Sequence, residues 1–267
     1  MNNHMAELSW DEVERRLQTT DTAYVPLGSV EPHGRHAPLG LDAFVAEEIA
    51  DRVAAIAGGL VFPPLHLGTL SLIQDFRALP GGVSIDTDVL LALYTNIGVR
   101  LGEAGFKRIL FVNGHGPNAP LLAVAAYQIR DRVGAEVGVL EWWASAGDVI
   151  AEIKGFNYAN HADRIETSLL LATPHGPLVD LSKAVTNSPT VEDVDPDEKQ
   201  IYLKKIPYTH NFDERWVGTS GNMGDPTLAT REDGERVIEA TVQMGVKLLG
   251  VLGRNLERRT TADRVQP

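Results

Sequence analysis

The sequence predicts an α/β fold, a single three-layer α/β/α domain with a mostly parallel central sheet. Short apolar runs alternate with longer amphipathic segments between residues 23 and 141, and this order is typical of parallel strands joined by helices. The 267 residues are 43% hydrophobic, so the chain can bury a large core. No linker composition and no internal repeat divides the sequence, and we therefore expect one domain over residues 1–267.

The first half of the chain is predicted to supply three strands and three helices. Ser9 and Glu12 have the spacing of a capping box at the start of the first helix. Asp86 is the expected N-cap of the third helix, and the glycine pair after residue 57 ends the second. The expected strands are Ala23–Leu27, Leu60–Phe62 and Arg108–Val112, and the second and third helices are expected over Ala43–Ala57 and Val89–Ala104.

The second half continues this alternation and then loses it. Apolar residues at helical spacing predict a helix over Ala119–Val133, and a strand is predicted over Glu136–Glu141. The stretches 65–85 and 182–226 are rich in turn residues and are predicted to be irregular. The remaining expected elements are a helix over Arg164–Ala172, a short strand over Leu178–Asp180, a helix over Asp233–Leu252 and a polar, frayed tail from about residue 254.

Composition excludes several classes of function. The formal net charge of −12 disfavours nucleic acid and anionic membranes as partners, because both need basic surfaces. The absence of cysteine excludes a disulfide framework and a thiol nucleophile. No stretch approaches the ~20 apolar residues of a membrane helix, and the N-terminus lacks the apolar segment of a secretory signal. We therefore expect a cytoplasmic protein that acts on a small molecule.

The strongest functional signal follows the first predicted strand. Glu31, His33, His36 and Asp42 lie within a dozen residues, just beyond that strand. Ligands of open α/β sheets bind at the carboxyl ends of strands, and two residues that are two apart on an extended backbone point the same way. Carboxylate oxygens and imidazole nitrogens suit Zn, Mn or Fe. The alternative is a polar loop whose histidines cap backbone groups.

Two later segments carry similar residues. The segment Asn113–Asn118 follows the third strand and contains His115. It either joins the same site or forms an anion cradle at a helix N-terminus. The third segment places His161, Asp163 and Glu166 at the start of a predicted helix. Because carboxylates are favoured in a first helical turn, both acids of this segment are also candidates for simple capping groups.

These three segments resemble the signatures of the creatininase (creatinine amidohydrolase) family. The matching stretches are 31–42, 113–118 and 161–168, and residues 224–230 resemble a later Gly-Asp-Pro element of that family. The resemblance runs from about Leu8 to Gly250. The family includes creatininases, a deformylase of a formylamino-pyrimidine nucleotide, and a peptidase that trims a redox-peptide precursor. It implies metal-assisted attack of water on an amide C–N bond. We expect the substrate to be a cyclic amide, a formamide or a small peptide-like compound, and the bond to be other than a peptide bond.

The resemblance also implies a set of site residues for one or two divalent metals. Glu31, Asp42 and His115 would bind the first metal. His33 would bind the second together with Asp42, which would bridge the two. His161 matches the histidine that transfers a proton. The family resemblance further implies a homohexamer arranged as a trimer of dimers.

The sequence departs from creatininases at two positions. Those enzymes have a glutamate ligand of the second metal where this chain has Pro117, and another glutamate where it has Asn160. Both departures argue against creatinine as the substrate. Either Glu166 supplies the missing carboxylate, as a ligand and catalytic group, or the second metal is weak or absent. The candidates for substrate contact are Trp142, Trp143 and Asn118, with at most one of the tryptophans expected in the pocket.

Two other functions fit the same residues. A metal hydrolase of a lactone or a cyclic ketone would use the same attack by water. A non-catalytic relic of the family would bind a ligand at the segment Asn113–Asn118 without a complete metal centre. The loss of a ligand at Pro117 favours this second alternative, whereas the absence of a Gly-Lys-Ser/Thr ending argues against a phosphate-binding loop.

Overall fold

The sheet of this protein consists of parallel strands in the order β2-β1-β3-β4. The computed structural model describes residues 2–69, 79–155, 160–187, 197 and 220–263, and within them four strands pair in one sheet. Every strand runs parallel to its neighbours, so all the carboxyl ends lie at one edge. The strands are β1 (Thr22–Leu27), β2 (Leu60–Val61), β3 (Arg108–Asn113) and β4 (Glu136–Glu141).

Helices cover both faces of the sheet, which confirms the predicted three-layer α/β/α architecture. Helices α3 and α4 pack on one face, and α2, α7 and α8 pack on the other. The bounds are α1 (Trp10–Leu17), α2 (Leu41–Ala57), α3 (Thr87–Glu103), α4 (Ala119–Val133), α5 (Trp142–Ser145), α6 (Gly147–Lys154), α7 (Arg164–Leu171) and α8 (Arg231–Asp263).

Strand β3 shows how one sheet serves two cores. Leu110 and Val112 point to the face that α2 and α8 cover, whereas Ile109 and Phe111 point to the face that α3 and α4 cover. All four side chains are essentially inaccessible to solvent, and burying each contributes about 1.5–3 kcal/mol. A strand that is apolar on both sides is expected at the centre of a parallel sheet.

Among the described residues, no helix combines the length and the apolar composition that crossing a membrane requires.

Several predicted elements differ from the structure. The strand expected over Leu178–Asp180 is wrong: a 3-10 turn covers Gly176–Leu178, and the Asp180 side chain then caps the next turn by accepting from the Ser182 N–H. Pro177 opens the 3-10 turn and cannot donate to a sheet. A run of three residues was too short to distinguish a strand from a turn.

Residues 254–263 are helical, because α8 continues to Asp263, whereas a frayed tail was predicted from about residue 254. Leu252 still packs into the core, and Arg259 then pairs with Glu136 at 3.0 Å, at the start of β4. Arg259 also donates to the main-chain carbonyl of Gly134. The polar composition of this segment therefore reflects ion pairing against the sheet.

The capping box predicted for α1 does not form. Ser9 occupies the N-cap position, but its hydroxyl donates to the Asp11 carboxylate at 2.5 Å. Glu12 pairs instead with Arg15 and lies 4.0 Å from Arg16. Most of the two stretches predicted to be irregular, 70–78 and 188–219 apart from residue 197, lies outside the described residues.

Candidate metal centre

Two glycines bring the start of α2 against the ends of β1 and β3. A Cβ atom on Gly28 would lie 2.3 Å from the Ala43 nitrogen, and one on Gly114 would lie 2.1 Å from the Asp42 carbonyl oxygen. Only glycine permits so close an approach of two backbones. Helix α2 begins at Leu41, two residues earlier than predicted, so Asp42 lies in its first turn at the carboxyl edge of the sheet.

Four of the five residues in the first two predicted clusters meet at this edge. Asp42 reaches two imidazoles, with its Oδ1 atom 3.0 Å from His33 Nε2 and its Oδ2 atom 2.9 Å from His115 Nδ1. Glu31 Oε1 lies 3.2 Å from the same Nδ1 atom. None of the four residues is more than 3% exposed. The structure therefore brings Glu31, His33, Asp42 and His115 together as predicted, with one carboxylate between two histidines.

Backbone carbonyl groups fix the orientation of three imidazoles. Each ring has one nitrogen within hydrogen-bond distance of a main-chain oxygen, and since a carbonyl only accepts, that nitrogen carries the proton. The other nitrogen faces the carboxylates and offers its lone pair when the ring is neutral, as in metal-binding histidines. The three contacts are His33 Nδ1 to Glu31 O at 3.0 Å, His115 Nε2 to Thr69 O at 2.6 Å and His161 Nε2 to Pro32 O at 2.6 Å.

The third predicted cluster borders the same site on its more open side. His161 Nδ1 lies 3.5 Å from Glu31 Oε1, and Glu166 Oε2 lies 3.8 Å from His33 Nε2 and 3.9 Å from His161 Nδ1. Asp163 caps α7 by accepting from the first backbone N–H groups of the helix. The Glu166 carboxylate turns back towards the site and accepts from the Ala162 N–H at 2.6 Å.

The electrostatics of the centre favour positive charge between its carboxylates. Burial opposes ionisation of Glu31, but the His115 and His161 rings hold its pKa below the ordinary value. Burial likewise opposes ionisation of Asp42, and the neighbouring histidines lower its pKa. Burial would lower the pKa of His33, yet Asp42 and the other acids raise it to about 9. The same competition raises the pKa of His115 well above 6.5, with Glu31 as the leading acid.

The pKa values of His161 and Glu166, the two residues on the open side, shift in the opposite sense to those of the other histidines and carboxylates of the site. Burial, together with the nearby His33, lowers the pKa of His161 to about 4. Burial raises the pKa of Glu166 to about 8, against the opposing effect of His33 and with the repulsion of Asp42 added. A neutral imidazole and a carboxyl group that readily holds a proton therefore lie side by side at the more open face of the centre.

The candidate substrate contacts occupy less accessible positions than expected. Trp142 lies in the hydrophobic core between the sheet and α8, at 3% exposure. Trp143 is half-buried and packs edge-on against it at 5.3 Å. Asn118 is fully buried, donates to Gly28 O at 3.0 Å and accepts from Thr69 N–H at 3.4 Å. The roles of Trp142, Trp143 and Asn118 in substrate contact stay predictions, and Trp143 is the most exposed of the three side chains.

Asn118 supports the metal centre indirectly. Through its hydrogen bond with Thr69, it holds the carbonyl that accepts from His115. His36, which the sequence placed beside the ligands, points away from the carboxylates and contacts the Thr167 hydroxyl at 2.9 Å. The carbonyls of Thr69 and Pro32 were missed in the sequence because a main-chain acceptor leaves no mark in the residue type.

The donor atoms fit a divalent metal in two overlapping sets. The ligand atoms of Glu31, Asp42 and His115 lie within 4.8 Å of one another, and so do those of Glu31, His33 and His161. Two buried, ionised carboxylates carry negative charge that is costly in a protein interior unless a cation compensates it, and the raised pKa values of His33 and His115 reflect the same demand for positive charge. Nitrogen and carboxylate donors suit Zn, Mn or Fe. The residues therefore define a candidate metal site at the carboxyl edge of an α/β/α fold.

The chain belongs to the creatininase family. The family model described as creatinine amidohydrolase matches residues 6–249. A creatinine amidohydrolase from Pseudomonas putida is 28% identical over 257 residues, covering 90% of this chain and 93% of that protein. A mycofactocin precursor peptide peptidase from Mycolicibacterium smegmatis is 32% identical over 225 residues, covering 82% and 80%. A 3-dehydro-scyllo-inosose hydrolase from Thermotoga maritima is 27% identical over 170 residues, covering 62% and 54%.

Solved creatininase structures share this fold. A manganese creatininase is 28% identical, with a TM-score of 0.76 over 92% of this chain and 96% of that one. A mutant creatininase of the Zn-Zn type is 26% identical, with a TM-score of 0.77 over 92% and 96%. The predicted family and fold are therefore confirmed, and the chain is a creatininase-family amidohydrolase.

Proposed function

We propose that this protein is a metal-dependent hydrolase that cleaves the C–N bond of a small amide with water and assembles as a homohexamer. The observation that carries the proposal is the shared orientation of His33, His115 and His161. Each ring donates to a backbone carbonyl and presents its other nitrogen to buried carboxylates. This arrangement has a clear role in holding a cation and no evident role in packing.

The two proposed metal ions would have different ligand sets that share the carboxylate of Asp42. Glu31, Asp42 and His115 would hold one metal, and His33 would hold a second with Asp42 shared between them. A bound divalent metal would supply Lewis acidity, which eases deprotonation of a water molecule and polarises a carbonyl. Because Asp42 presents one oxygen to each histidine, it can orient both halves of the centre at once.

Proton transfer belongs to the open side of the centre. The side chains of His161 and Glu166 are 12% and 14% exposed, whereas those of Glu31, His33 and Asp42 are at most 2% exposed. A group that protonates a leaving nitrogen must reach the substrate, so His161 and Glu166 are the two candidates. Glu166 is also the candidate for the ligand that creatininases have at the position of Pro117.

The departures at Pro117 and Asn160 favour an amide other than creatinine as the substrate. Pro117 offers no side-chain donor, and Asn160 is buried, with its backbone N–H donating to the Asp163 carboxylate at 3.0 Å. The relatives include both a creatinine amidohydrolase and a peptide peptidase, so cyclic amides, formamides and small peptide-like compounds all stay candidate substrates, and peptide bonds join the candidate bonds. A cyclic-ketone substrate is the second candidate, and the similarity to an inosose hydrolase favours it.

Metal content tests the proposal directly. The purified wild type should contain at least one Zn, Mn or Fe per chain by elemental analysis. Removal with a chelator should abolish hydrolysis in a panel of lactams, formamides, short peptides, lactones and cyclic ketones, and the same metals should restore it. His115→Ala should lose metal and activity. His175→Ala is the matched control, because His175 stacks on Phe44 at 3.9 Å and is not one of the ligands.

The result that contradicts the proposal is equally direct. If His115→Ala keeps the metal content and turnover of the His175→Ala control, the metal centre is not where we place it. A wild type with well under one metal per chain, and with no hydrolysis after metal addition, would support the ligand-binding relic instead.

A further inference from the structure

We infer that His161 is a ligand of the second metal, together with Glu31 and His33, and that Glu166 is the group left for proton transfer. This inference rests on the proposed metal-dependent hydrolysis and deepens it. It assigns to His161 a role other than the proton transfer that its position in the third segment predicts, and it explains how a chain with Pro117 completes a second site.

The distances place His161 among donors. Its Nδ1 atom lies 3.5 Å from Glu31 Oε1, which in turn lies 4.0 Å from His33 Nε2. The two imidazole rings have centroids 4.5 Å apart and are tilted by 34°. All three donor atoms lie within 4.8 Å of one another. Two nitrogens and one carboxylate oxygen so close together are the donor set of a common metal site.

Backbone carbonyl groups orient the imidazole rings of His33 and His161 for metal binding. His33 donates to the carbonyl of Glu31 and His161 donates to the carbonyl of Pro32, so two consecutive main-chain oxygens fix the two imidazoles. The Nε2 atom of His33 is buried and makes no hydrogen bond of good geometry, although Asp42 Oδ1 lies 3.0 Å away. A buried imidazole nitrogen aimed at carboxylates requires positive charge between them, which a bound metal would supply.

The same contacts leave His161 poorly placed to carry protons. A proton carrier must present one nitrogen to the substrate and exchange its proton there. His161 uses Nε2 on the Pro32 carbonyl at 2.6 Å, and its Nδ1 atom faces Glu31 and Glu166. His161 and Glu166 are the two residues on the open side. His161 supplies one of the three donor atoms, whereas the Glu166 carboxyl group lies outside that set and is left for proton transfer.

The backbone at Ala162, between His161 and Glu166, is strained. This strain fits the assignment of His161 to the metal and of Glu166 to proton transfer. Ala162 has a φ of 50°, in the left-handed region, which non-glycine residues rarely adopt. Such a conformation is energetically unfavourable and persists where surrounding contacts require it. Here it places His161 over the metal donors while the Ala162 N–H donates to Glu166 Oε2 at 2.6 Å. One hydrogen bond therefore fixes the Glu166 carboxyl group beside the centre.

Counting metal equivalents tests the inference. Holoprotein is equilibrated with a chelator of known affinity, and bound Zn or Co is measured per chain, with the Co absorption spectrum as a second readout. Wild type should hold two equivalents. His161→Gln should hold one, with the second bound more than about 100-fold more weakly, which exceeds the 10–100-fold loss typical of residues that only orient a ligand. Glu166→Gln and the control His175→Gln should keep two.

A rescue variant guards against a folding defect. His161→Glu offers a carboxylate in place of the imidazole and should recover most of the second equivalent, while the metal-free forms of all variants should unfold within a few degrees of one another. Two tightly bound equivalents in His161→Gln overturn the inference, as does loss of the second equivalent in Glu166→Gln alone. A wild type with one equivalent overturns only this inference, whereas a wild type with none overturns the proposed function.

Discussion

Gly114 offers a sharp test of how the fold positions the metal centre. It lies against the Asp42 carbonyl oxygen, which a Cβ atom on Gly114 would approach to 2.1 Å. Ordinary contacts begin near 3.4 Å, so Gly114→Ala must separate the end of β3 from the start of α2 by about 1 Å or more. Because Asp42 lies in that first turn of α2, the substitution should displace the carboxylate that contacts both His33 and His115.

The expected cost follows from the size of the clash. Forcing a methyl group into a packed contact destabilises a protein by about 1–3 kcal/mol. For a chain of this size, each kcal/mol lowers Tm by about 2–4 °C, so Tm should fall by about 2–12 °C. Misplacing a metal ligand should also weaken metal binding by about 10–100-fold, the range found when the support of a ligand is removed.

Gly116→Ala is the matched control, two residues along the same turn. A Cβ atom on Gly116 meets nothing within 4 Å, so this variant should keep the Tm and the metal affinity of the wild type. Calorimetry of the metal-free proteins and competition with a chelator measure the two quantities. If Gly114→Ala and Gly116→Ala give the same Tm and the same metal affinity, the close approach of α2 to β3 does not position Asp42 and the reasoning is wrong.

Two further substitutions test the surroundings of the centre and the pH dependence of stability. Asn118→Asp replaces the buried donor to Gly28 O by an acceptor, so it should lower the free energy of unfolding by about 1–3 kcal/mol. It should also weaken metal binding. The control Asn96→Asp, at an exposed position of α3, should change neither quantity. Burial, with Glu47 and Glu48 adding to it and His4 opposing, raises the pKa of Asp51 from 3.8 to about 6. The folded state therefore holds this proton more tightly, and stability falls as pH rises from about 4 to 6. Asp51→Asn should gain Tm relative to the wild type across that interval, and a constant difference in Tm between pH 4 and 7 would contradict the assignment.

The regular elements were predictable where local signals agreed. Helix α4 and strand β4 begin and end at the predicted residues, since a helical apolar period ends at Gly134, which adopts the left-handed conformation expected of a helix C-terminus. The tail of α8 was not predictable, because its helix depends on an ion pair between Arg259 and Glu136, which are far apart in the sequence.

The grouping of the candidate ligands was predictable for a different reason. Parallel strands place their carboxyl ends at one edge, so His115 after β3 had to approach Glu31 after β1. The orientation of individual side chains was not predictable. Trp142 enters the core and Asn118 bonds to main-chain atoms, and in each case the residue type suits a pocket equally well. Only the three-dimensional path of the neighbouring chain distinguishes the two roles.

The use of main-chain oxygens to orient the histidines has a consequence for how this protein can change. A side-chain partner is lost by a single substitution, but a carbonyl is present whatever residue occupies the position. The partners of the three imidazoles belong to Glu31, Pro32 and Thr69, so replacing the side chain of Thr69 leaves its acceptor in place. Substrate preference can therefore diverge through positions such as Pro117 and Asn160 while the alignment of the histidines is inherited intact.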